Sequence, residues 1–151
     1  MRAALAFLLA LASLSPSPAL AMAERVDDSR TQVLGALRLK WDAAVPQAGQ
    51  PETASDQITI RVHLDVAKWT GRSGKIYMKL EPSGGGVQAT WTSRGILLPG
   101  TVRDGDRTLV YAGMITGQSL EDVIDMTVRT MGGEEAGSRL RFAFEIEMDG
   151  P

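Results

Sequence analysis

The chain holds one imidazole, His63, and no cysteine. Metal-binding nitrogen and sulfur ligands work in sets, so Cys-ligated zinc, iron–sulfur clusters and multi-histidine sites are excluded. His63 has Arg61 and Asp65 as same-face neighbours. A Ser-His-Asp triad also needs an activated serine and an oxyanion hole, which no local pattern supplies, so His63 reads as a solvated strand residue. Glu145 and Glu147 sit two residues apart, about 7 Å on one strand face and within the range of paired glycosidase carboxylates. Alternating charges are also what the wet face of any strand carries. Asp104-Gly105-Asp106 lies between Arg103 and Arg107 and lacks the further oxygen ligands of a calcium loop. Gly71-Arg72-Ser73-Gly74 and Gly84-Gly85-Gly86 are followed by neither Lys-Ser/Thr nor a helix, and read as turns rather than phosphate cradles. No catalytic, cofactor-binding or metal-binding residue is assigned, and no cofactor is expected.

Three tryptophans remain. Trp41 and Trp91 fall on the apolar face of alternating segments and are expected in the core, whereas Trp69 sits at a strand end beside a Gly-Arg turn. Together with Tyr77, Trp69 is the candidate exposed contact.

The elements that must position these residues follow a period of two. Ile58, Ile60, Val62, Leu64 and Val66 alternate with polar neighbours in the clearest strand of the chain. Val33, Gly35, Leu37, Leu39 and Trp41 form one face of an earlier strand, and Asp42 to Asp56 reads as a loop. Lys75–Leu80, Val87–Thr92, Val123–Met131 and Arg139–Met148 repeat the alternation. Thr108–Ile115 is almost continuously apolar, as in a strand covered on both faces. Thr101–Arg103 suggests a short strand and Gln118–Asp122 a helical turn. Seven strands separated by turns predict an all-β fold, an antiparallel two-sheet sandwich of immunoglobulin-like type, with a small barrel as the alternative.

The first residues belong to a different class. Arg2, an apolar run from Ala3 to Leu14, and Ser15-Pro16-Ser17-Pro18 predict a secretory signal peptide over 1–23, with cleavage after Ala23. A polar leader, 24–32, and a single sandwich domain, 33–151, follow. The 151 residues carry a net charge of −2, which gives no basic footprint for nucleic acid. No mature segment is apolar over the length of a membrane span. The expected product is exported, to the periplasm or cell surface.

Ile60-Arg61-Val62-His63-Leu64-Asp65, Lys75-Ile76-Tyr77-Met78-Lys79-Leu80 and the small-residue stretch Ala136-Gly137-Ser138 before the last strand resemble the Cys-free, colonization-factor type of chaperone–usher fimbrial subunit. The resemblance implies strand addition, in which an N-terminal strand fills the groove of the next subunit. Carried onto this chain, the donor residues are Val33, Leu37, Leu39 and Trp41, with Gly35 at the tight point. The expected function is non-enzymatic protein–protein contact, with like subunits or a periplasmic chaperone as partners. The alternative is a periplasmic binding or accessory module whose contact surface is the Trp69/Tyr77 region or the Ser93–Arg107 loop.

Overall fold

A computed structural model describes residues 22–41, 53–131 and 140–150. It is an all-β antiparallel sandwich of two sheets rather than a closed barrel. The strands are β1 (Glu24–Arg25), β2 (Gln32–Leu34), β3 (Lys40–Trp41), β4 (Ala54–Asp65), β5 (Ser73–Leu80), β6 (Gln88–Ser93), β7 (Gly100–Arg103), β8 (Arg107–Met114), β9 (Ser119–Thr130) and β10 (Phe142–Met148). One sheet runs β1-β10-β5-β8; the other runs β2-β4-β9-β6-β7, with β3 also paired to β4.

The spine is the β4–β9 pair, in register without interruption from Ala54 opposite Thr130 to Asp65 opposite Ser119. Both strands alternate buried and exposed residues over their central parts, which pins the register, because a one-residue slip would turn every apolar side chain to water. Ile60, Val62, Leu64, Ile124 and Met126 of this pair meet Ile76, Met78, Phe144 and Ile146 of the other sheet in one core. Trp91 is buried there as expected, with its indole N–H donating to the Leu98 carbonyl at 2.9 Å.

Several expectations change. Residues 24–32 are not a loose leader. Glu24 and Arg25 pair with Ile146 and Glu145 in β10, Val26 is fully buried, and Thr31 exchanges hydrogen bonds with the backbone of His63. The segment therefore laces the edge of one sheet to the edge of the other. Its single valine, hidden among polar neighbours, gives no periodic signal. Residues 33–41 do not form one strand, because Gly35 (φ 109°) breaks the run after Leu34. β4 begins at Ala54, inside the span read as a loop. β8 is the edge of its sheet and half-exposed rather than covered on both faces. Gln118–Asp122 is no helical turn: β9 begins at Ser119 and takes up the rest of that span. The short strand at Thr101–Arg103 is present within β7. Residues 1–21, most of the Asp42–Asp56 loop and the Ala136-Gly137-Ser138 turn lie outside the described residues. None of the described helices is long and apolar enough to cross a membrane.

Candidate functional site

The exposed apolar side chains gather in few places, and two of these are built rather than incidental. The first is the β6–β7 loop, 94–99. Asp122 lies on the inward-facing set of β9, between Leu120 and Ile124, and is buried. Its Oδ2 accepts from the Ser93 hydroxyl at 2.7 Å and from the Leu97 backbone N–H at 2.7 Å. The Arg94 N–H donates to the Val123 carbonyl at 2.9 Å, and the Leu98 N–H to the Val110 carbonyl at 2.7 Å. Outside these, the Arg94 guanidinium grips Asp125 at 2.7 and 2.8 Å. That grip, with a hydrogen bond from Thr59, holds the Asp125 carboxyl below its usual range.

The consequence is a fixed display. Leu97 is driven into the core, while Ile96 and Leu98 on either side are 52% and 43% exposed. A loop held this firmly loses little conformational entropy when it docks. It lies within the Ser93–Arg107 span anticipated as a contact surface. Asp122, its organiser, was missed. The available signal was a carboxylate in the middle of the alternating series Leu120, Asp122, Ile124, Met126, Val128, which a helical turn over 118–122 conceals.

The second place is the β2 edge. β2 pairs with Thr59–Arg61 of β4 on one side, and none of the described strands pairs with its other side. Val33 is 54% and Leu34 41% exposed. Of the candidate donor residues, Val33 and Gly35 are thus on the surface, and Leu37 and Leu39 pack partly buried against the chain's own core. Trp41 pairs through its backbone with Ala54. Val33 also stands at the lip of a cleft of about 370 Å³ between the sheets, floored by Ile60, Met78, Phe142 and Phe144 and rimmed by Arg25, Asp28, Glu81 and Arg141.

Trp69 and Tyr77 do not form an exposed contact. The 3-10 turn Ala67–Trp69 rolls the indole inward to 4% exposure, with Lys68 Nζ 5.1 Å from its centroid. Tyr77 is half-buried beneath the Arg107 guanidinium, 4.4 Å above its ring.

The remaining polar candidates have local structural partners. His63 Nδ1 is 2.9 Å from Glu121 Oε1, its direct cross-strand neighbour, and its side chain is only 15% exposed, less solvated than its outward position suggested. Glu145 meets Lys79 at 3.2 Å and Arg107 at 3.7 Å, while Glu147 meets Arg107 at 2.6 Å. The hydrogen bond from Arg107 to Glu147 holds the guanidinium above its usual pKa. Asp104 accepts from the backbone N–H groups of Ser83 and Gly84 at 2.7 and 3.1 Å, which makes it a tie between two turns. Among the described residues no group of three or more His, Asp or Glu side chains could hold a metal ion. No protein-family model matches the chain, and no curated protein matches it in sequence.

Proposed function

We propose that this is an exported, non-enzymatic β-sandwich protein that works through protein–protein contact by strand addition, as a subunit of a surface assembly of the fimbrial kind. The observation that carries the reading is the β2 edge, where Val33 and Leu34 stand exposed on a strand that none of the described strands covers on one side. Exposed apolar edges template pairing with another chain, and soluble proteins ordinarily blunt them with Lys, Pro or a covering segment. From Thr31 to Leu37 this edge carries no charge and no proline. The signal-peptide pattern ahead of Glu24 supports delivery to the periplasm or cell surface, where such partners assemble. A second reading has its own support in the tied loop that displays Ile96 and Leu98, which suits an accessory module docking through that loop.

A photo-crosslinking amino acid placed at Val33, at Ile96 or, as a control on the outer sheet face, at Thr90 tests the proposal in cells making the full chain. Adducts from position 33 are expected, with the mature protein starting at Glu24 by intact mass. Adducts from position 96 alone would favour the loop reading, and adducts from neither would overturn the proposal.

A further inference from the structure

We infer that the partner at the β2 edge is a second copy of this chain, the two β2 strands pairing antiparallel across a two-fold axis; this rests on the strand-addition reading above. A two-fold contact must be self-complementary, since the same patch meets itself. The β2 edge satisfies that condition in two ways. Its centre is apolar, so Val33 and Leu34 of one copy land on Val33 and Leu34 of the other and remove each other's exposed surface from water. Its flanks are of unlike charge. The residues before β2 hold three acids, Glu24, Asp27 and Asp28, against two cations, Arg25 and Arg30, all on the surface or half-buried, with Arg25 4.0 Å from Asp28, while those after it include Arg38 and Lys40, both exposed. Antiparallel pairing brings the acidic flank of each copy toward the basic flank of the other. Parallel pairing would set like against like.

The far edge of the same sheet argues for closure at two copies. β7 is preceded by Pro99, and its Thr101 and Arg103 are exposed, while Val102 points into the core. A proline and a charged residue at an edge discourage further pairing, so β2 meets its own copy rather than β7, and the two-fold pair is the unit that a larger surface assembly extends through faces other than this sheet. An edge of this length buries less than the roughly 1,200 Å² at which standard stable interfaces begin, which makes the pair a weak and reversible one.

Sedimentation of the mature protein, residues 24–151, from about 1 µM to 1 mM tests this. A monomer–dimer equilibrium is expected. Val33→Lys combined with Leu34→Lys should leave a monomer at every concentration with an unchanged melting temperature, because both side chains are exposed in the single chain. Arg38→Glu should weaken the dimer tenfold or more, and adding Asp28→Lys should recover most of that loss. A wild type that stays monomeric throughout, or a dimer indifferent to the Val33/Leu34 pair of substitutions, overturns the inference. A monomer that still gives position-33 adducts with a different protein overturns only the second copy as partner. A monomer without such adducts removes the strand-addition reading as well.

Discussion

The buried carboxylate of Asp122 accepts the backbone N–H of Leu97 at 2.7 Å, so a charge inside one sheet fixes the shape of a loop 25 positions earlier in the chain. A carboxylate this well supplied with donors is stabilising where a lone one would be costly. Asp122→Ala strips the acceptor from both the Leu97 N–H and the Ser93 hydroxyl, and the expected loss is about 1–3 kcal/mol, read as a lower thermal midpoint. Gly95 belongs to the same device, since a Cβ there would stand 2.8 Å from Asp122 Oδ1. Gly95→Ala should destabilise the wild type and do so less in the Asp122→Ala background. Strict additivity of the two would show that they do not act on one another.

Acid should weaken the surface clamps in a defined direction. Asp125 is held below its usual pKa chiefly by the hydrogen bond from Arg94, and Asp27 chiefly by the backbone N–H of Ser29. A carboxylate with a depressed folded-state pKa adds stability above its unfolded-state value and loses it as pH falls through the folded-state value. Denaturant midpoints should therefore hold level through neutral pH and drop below about pH 4. Asp125→Asn should flatten part of that drop. An unchanged acid limb in the variant would mean that the Arg94–Asp125 pair contributes nothing to it.

Val26 decides whether the segment 24–32 is structural. It is fully buried, and its N–H donates to the Phe144 carbonyl at 2.9 Å. Val26→Ala should cost about 2 kcal/mol through lost burial and the space left behind. In urea, a midpoint equal to wild type would restore the view of 24–32 as a loose leader. Amide exchange gives an independent reading, because the Val26 N–H should be protected and the Ala36 N–H should not.

The central strands were legible from residue order alone. Alternation in Ile58–Val66, Lys75–Leu80 and Val123–Val128 reports a half-buried strand directly, since successive side chains on a strand must point to opposite faces. That local rule also put Trp91 in the core. The absence of cysteine and the single histidine bounded the metal chemistry in the same way, because that depends only on which residues are present. Tertiary structure decided what depends on a neighbour distant in sequence. Val26 is core because β10 lies beside it, Trp69 turns inward because the 3-10 turn aims it there, and β8 is half-exposed because it ends a sheet. Asp122 tolerates an inward position because Ser93 and Leu97 bring donors to it from another strand and its loop. Alternation assigns each residue a face of its own strand, but whether that face meets core, solvent or a hydrogen-bond donor is set by which strands pair and in what order.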